Sequence, residues 1–340
     1  MRRRRMPDLT PAPSPLDGVD LLLADLDGVV YKGADAIPHA VESLERSGVR
    51  VGYLTNNASR TAASVAEHLS SLGLRATADD VVTSPQAAVR LLAGLIPAGS
   101  TVLVVGGDGL VDELGRAGFS VTRSALDRPA AVIQGFSPEV GWTQLAEASF
   151  ALGDDPELPW VATNTDWTIP VARGIAPGNG TLVSAVHTAV GRLPVVAGKP
   201  ETAIFEAAVS RFGGEHPLFI GDRLDTDILG ANRAGIASAL VLTGVDGPKQ
   251  VIAADAKSRP TFILGDLREL HEPYPVAAEA ADGEARLFTV RDAVVRLAGS
   301  TVTIDRAGSD GVDLLRAGAA AIWGSGTPIY GLEVDQAIYS

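Results

Sequence analysis

Apolar residues recur along this chain in short runs, separated by amphipathic stretches of helical spacing. VDLLLADL (19–26) predicts a buried strand, and AIPHAVESLERSG (36–48) predicts a helix ending at Gly48. VRVGYLT (49–55) is a second strand, and RTAASVAEHLSSLG (60–73) a helix starting near Thr61 and ending at Gly73. Strands that alternate with helices imply parallel βαβ units.

The alternation continues through TVLVVGG (101–107), a helical VDELGRAG, AAVIQGF (130–136), a helical WTQLAEASFALG and LPWVATN (158–164). A stretch rich in turn residues follows, TNTDWTIPVARGIAPGNG (163–180), and then a helical TLVSAVHTAVG. The first pattern then resumes: VVAGKPE (195–201) leads into a helix, PLFIGD (217–222), a helical DTDILGANRAG, ASALVLTG (237–244) and PTFIL (260–264). The expected organisation is one doubly wound α/β core, residues 17–83 and 196–272, interrupted by an α/β insert at 84–195. Residues 275–340 read as a small α+β module, with short strands, a helix at GVDLLRAGAAAIWG and a last strand in IYGLEVDQAIY.

Composition narrows the function classes. The chain has 340 residues, 46% of them apolar and 20% charged, which fits a globular protein of two or three domains. No apolar run reaches the roughly 20 residues that span a bilayer. Residues 1–16, with four consecutive arginines and several prolines, are expected to form a disordered leader, with Met6 an alternative start. A net charge of −13 argues against nucleic acid as a partner. The chain has no cysteine, so thiolate chemistry is excluded and a cytoplasmic location is expected. The five histidines, His39, His68, His187, His216 and His271, are scattered, without metal-ligand spacing.

Chemistry gathers where the predicted core strands end. In an open parallel sheet, ligands bind beyond the carboxyl ends of the strands. Asp25 and Asp27 follow the first strand, Thr55, Asn56 and Asn57 the second, Lys199 follows VVA, and Asp222 follows PLFI. Two carboxylates at alternate positions resist joint ionisation unless a cation, a shared proton or water relieves them. Magnesium takes a few hard oxygen ligands and leaves places for water and phosphate. Asp25, Asp222 and the Asp27 main-chain carbonyl are the expected metal ligands. Thr55, Asn56 and Asn57, ahead of a helix, suit phosphate oxygens, and Lys199 would neutralise charge at the nucleophile.

DLDGV (25–29), LTNN (54–57), GKP (198–200) and GDRLDTD (221–227), in that order, resemble the haloacid dehalogenase (HAD) superfamily. The insert between the second and third motifs, and LTNNASR, resemble its NagD-like branch, above all the mycobacterial-type glycerol 3-phosphate phosphatases that carry a C-terminal extension. The resemblance implies a Rossmann-like core with a C2-type cap and a magnesium-dependent phosphatase acting on a small phosphorylated metabolite. Glycerol 3-phosphate leads; 2-phosphoglycolate, pyridoxal phosphate and sugar or nucleotide phosphates are alternatives. It implies that Asp25 is the nucleophile, that Asp27 is the acid and base, and that Asp227 supports the metal ligands. In the insert, Asn164 and Asp166 would contribute to substrate choice, with local turn bonding as their competing role; Arg60 in the core would help hold an anionic substrate, with starting a helix as its competing role. A phospho-accepting signalling module is the rival, though such modules lack an acid at the position of Asp27 and a large insert. The C-terminal module is open to three roles: stabilising a homodimer, regulating the core, or binding a ligand. The insert is the other candidate dimer surface.

Overall fold

The computed structural model describes residues 13–58, 60–171 and 173–340. Most of the expected leader, residues 1–12, lies outside them. Residues 13–16 run over the core: Pro13 O accepts from Tyr274 N at 3.1 Å, and Leu16 packs on buried apolar residues.

The core is a six-stranded parallel sheet in the order Phe262–Leu264, Ala237–Val241, Pro217–Gly221, Leu21–Ala24, Arg50–Thr55 and Val81–Thr83. Leu21–Ala24 is buried on both faces, as central parallel strands are. Leu21 and Leu23 pack towards Ile204 and Phe205 of helix Thr202–Phe212, while Leu22 and Ala24 pack towards Val65 and Leu69 of helix Ala62–Ser71. The Thr61 hydroxyl accepts from Ser64 N at 3.2 Å and fixes the start of that second helix. Two local features differ from the sequence reading. The first helix is confined to Ala40–Glu45, and a small hairpin, Tyr31–Lys32 with Asp35–Ala36, occupies the chain before it.

The insert forms its own five-stranded parallel sheet, in the order Val195–Val196, Trp160–Ala162, Ala131–Gln134, Thr101–Val105 and Ser120–Thr122. Helices Trp142–Asp154 and Asn179–Val190 cover one face. The VVA segment therefore closes the cap sheet, pairing Val195 with Val161 and Val196 with Ala162, rather than the core sheet as expected. The reason lies in the connection: the segment follows cap helix Asn179–Val190 after a short turn and so returns to the cap sheet. The turn-rich stretch also acquires order, as an antiparallel hairpin of Thr168–Val171 and Gly174–Pro177.

The C-terminal residues make an antiparallel sheet, Ala278–Asp282, Ala285–Val290, Ala293–Ala298 and Thr301–Arg306, extended by Glu333–Val334. Ala293, Val295 and Leu297 alternate inward beneath helix Gly311–Gly324. The expected final strand shrinks to two residues because Asp335 accepts from Ala337 N at 3.0 Å and turns the chain.

Candidate active site

The order in which strands are added switches sides at Leu21–Ala24: the next core strands, beginning with Arg50–Thr55, lie on one side of it, and the later ones, beginning with Pro217–Gly221, on the other. Such a switch point opens a crevice at the carboxyl ends of the strands. Asp25 and Asp222 stand there on adjacent strands, tied by Asp25 N donating to Ile220 O at 2.9 Å. Asp227 joins them, so that carboxylate oxygens of the three acids lie within 4.8 Å of one another, all in buried residues.

Asp227 reaches the cluster because the chain after Asp222 turns through a wide π-type turn, Leu224–Ile228, instead of entering an α-helix directly. Its Oδ2 accepts from Asp222 N at 3.2 Å and Arg223 N at 3.1 Å. Lys199 Nζ then bridges two of the acids, 2.6 Å from Asp25 Oδ1 and 2.7 Å from Asp227 Oδ1, with only 3% of its side chain exposed. Asp222 Oδ2 is aimed by Val245 N at 2.7 Å. A Cβ at Gly28, whose φ is +84°, or at Gly244 would collide with that carboxylate, so both positions require glycine.

One ammonium cannot neutralise three acids. Burial raises the Asp25 pKa, only partly offset by Lys199, and burial with the nearby charges of Asp227 and Asp25 raises that of Asp222. Burial opposes the Lys199 ammonium, but Asp227 and Asp25 outweigh it and push its pKa up. This excess of hard, buried oxygen donors around one cation fits a divalent ion such as magnesium.

Asp27 is outside that cluster and faces solvent, although its crowded surroundings raise its pKa against the opposing charges of Lys199 and Arg60. Thr55 is buried, and its hydroxyl accepts from Asn57 N at 3.1 Å. The Asn56 side chain is spent on architecture. Its Oδ1 accepts from Lys199 N at 2.8 Å, and its Nδ2 donates to Lys199 O at 3.0 Å and to Asp166 Oδ1 at 3.1 Å. Asn164 Nδ2 donates to Asn56 O at 2.7 Å, and Asn164 Oδ1 accepts from Asp166 N at 3.1 Å. The cap loop 163–166 is thus bonded to the core beside Lys199. Sequence reading gave no role to Trp167, Arg223 or Gly244. Trp167 and Arg223 line, with Asp166, Lys199 and Asp225, a cleft of about 210 Å³ between cap and core. Only GDRLDTD hinted at Arg223, and an isolated Trp or Gly carries no sequence signal of its own.

A strand-end acid cluster with a buried lysine, closed over by an inserted α/β cap, defines a class. The profile of haloacid dehalogenase-like hydrolases matches residues 22–120, and a second HAD-hydrolase-like profile matches 196–270. The chain belongs to this family and is an enzyme of its phosphatase class. It is 44% identical over 304 residues to D-glycerol 3-phosphate phosphatase of Mycobacterium tuberculosis, covering 89% of this chain and 86% of that protein. It is 37% identical over 241 residues to human chronophin, covering 66% and 81% respectively. The crystal structure of the M. tuberculosis glycerol phosphate phosphatase in complex with magnesium superimposes with a TM-score of 0.82, at 43% identity and 95% coverage of both chains.

Proposed function

We propose that the chain hydrolyses a small phosphomonoester, glycerol 3-phosphate first among the candidates, with magnesium as its cofactor. The cluster of Asp25, Asp222, Asp227 and Lys199 carries this reading, because it brings carboxylates suited to attack and to holding a cation beside a neutralising ammonium, at the carboxyl ends of adjacent strands. Asp25, Asp222 and the Asp27 main chain would hold the ion, with Asp227 in support. Bound there, magnesium supplies charge neutralisation for the acids and the phosphoryl oxygens.

The chain's own residues divide the remaining work. An Asp25 carboxylate oxygen attacks phosphorus, the ester P–O bond breaks, and Asp27 gives its proton to the leaving alkoxide. A water then attacks the aspartyl-phosphate at phosphorus and passes a proton to Asp27. The Asp25–phosphorus bond breaks, releasing inorganic phosphate and restoring both acids. A raised pKa suits Asp27 to hold a proton until the leaving group needs it. Lys199 keeps Asp25 ionised and oriented, and Thr55 and Asn57 face the transferring group. The cleft beside Asp166, Trp167 and Arg223 takes the leaving group, and Arg60 adds positive charge near Asp27. The small volume of the cleft favours a metabolite over a macromolecule.

Phosphate release across a panel of glycerol 3-phosphate, 2-phosphoglycolate, pyridoxal phosphate and sugar phosphates tests the substrate, with glycerol 3-phosphate expected to give the highest kcat/KM. Equal or lower turnover on that ester than on the others removes the substrate assignment. A cytoplasmic location rests on the absence of cysteine, and cell fractionation checks it. A homodimer formed through the cap or the C-terminal module is checked by sedimentation.

A further inference from the structure

We infer that the C-terminal module sets the metal affinity of the active site by bracing the loop that aims Asp222. The loop lies between strand Ala237–Val241 and the short helix Pro248–Ala253. From it, Val245 N holds Asp222 Oδ2 at 2.7 Å, Asp246 N donates to Asp222 O at 3.1 Å, and Asp246 Oδ2 accepts from Leu224 N at 2.6 Å. The start of the Asp222–Asp227 turn is therefore fastened to this one loop at two residues, Asp222 and Leu224.

The loop's far anchor is foreign to the core. Helix Pro248–Ala253 packs on helix Gly311–Gly324 of the C-terminal module, and its buried Val251 and Ile252 share one apolar cluster with Leu315, Leu224 and Ile228. Leu224 and Ile228 are the apolar side chains of the turn that carries Asp227. A buried clamp holds the module in place. Arg316 donates through Nε and Nη2 to Ile263 O at 3.0 and 2.6 Å, through Nη1 to Asp313 Oδ1 at 2.7 Å, and pairs with Glu269. The edge strand of the core sheet is thereby tied to the C-terminal helix. Module, short helix, loop and acid form one packed series, and dense cores transmit small displacements.

The inference rests on Asp222 holding the metal. The test is the apparent Kd for Mn2+, followed by the electron paramagnetic resonance of free ion, on full-length variants whose folding is checked by circular dichroism. Ile252→Ala, which opens a cavity beneath the short helix, is expected to raise Kd at least fivefold, and Ile252→Val to raise it about twofold should the first variant fail to fold. Leu152→Ala, an equivalent cavity in the cap, is expected to leave Kd unchanged. Wild-type affinity in the folded Ile252 variants, or an equal loss in Leu152→Ala, overturns the brace. Asp222→Asn separates the two levels: if it binds Mn2+ normally the metal assignment itself is wrong, whereas a defect there with normal Ile252 variants rejects the brace alone.

Discussion

Replacing Lys199 with methionine removes the one buried cation from the acid cluster while keeping a chain of similar length. Its ammonium sits 2.6 Å from Asp25 and 2.7 Å from Asp227. At an effective dielectric of about 20, each contact carries about 6 kcal/mol of Coulomb attraction. Most of that only offsets the cost of burying the ions, and breaking one partner of such a buried arrangement typically costs about 3–5 kcal/mol. The variant should therefore lose about 3–5 kcal/mol of stability to urea unfolding in metal-free buffer. Magnesium changes the comparison, because it supplies the missing positive charge to the same acids. Millimolar magnesium should thus stabilise Lys199→Met more than it stabilises the wild type, although turnover stays at least about a thousandfold down for want of a preorganised nucleophile. Metal-free stability equal to wild type, or equal stabilisation of both proteins by magnesium, would show that Lys199 is not the counter-charge of this cluster.

Further outcomes follow from the same geometry. Metal-free stability should fall as pH rises from about 4 to about 8: the folded pKa of Asp222 is raised to about 8 from the usual carboxylate value, so the folded state binds more protons than the unfolded one across that window. Urea titrations at several pH values read this directly, and magnesium should flatten the slope because the metal keeps the acids ionised. Asp27→Asn should slow hydrolysis of an alkyl phosphate by about 10²–10⁴. In single-turnover release of the alcohol, p-nitrophenyl phosphate should be slowed far less, since that leaving group needs no proton, and parallel losses in that first step would deny Asp27 its role as acid. Gly244→Ala should weaken magnesium binding, measured by calorimetry, because its methyl group takes the place of the Asp222 carboxylate.

The fold and the site were legible in the sequence to different depths. Buried strands such as LLLA announced themselves as continuous apolar runs, and the motif acids fell at their ends where the sheet opens. What sequence could not reveal was allegiance. Val195–Val196 has the texture of a core strand, but pairs with the cap, because strand partners are chosen by the connection and not by composition. Asn56 reads as a phosphate ligand from LTNN, yet its side chain is committed to the Lys199 backbone and Asp166, contacts 143 and 110 residues away in sequence. Residues 275–340 read in sequence as a small module of their own. Its apolar cluster nevertheless continues into the core through Val251, Ile252 and Ile263, a continuity that no local pattern encodes.

As the proposed nucleophile, Asp25 becomes phosphorylated during turnover. A single turnover of ³²P-labelled glycerol 3-phosphate with magnesium, quenched in acid within milliseconds and digested, tests it most directly. The predicted result is an acid-stable, base-labile label on the peptide that contains Asp25, which chases into inorganic phosphate at the rate of turnover. Phosphate release at full rate with no labelled peptide, or with label on a peptide lacking Asp25, would contradict the account.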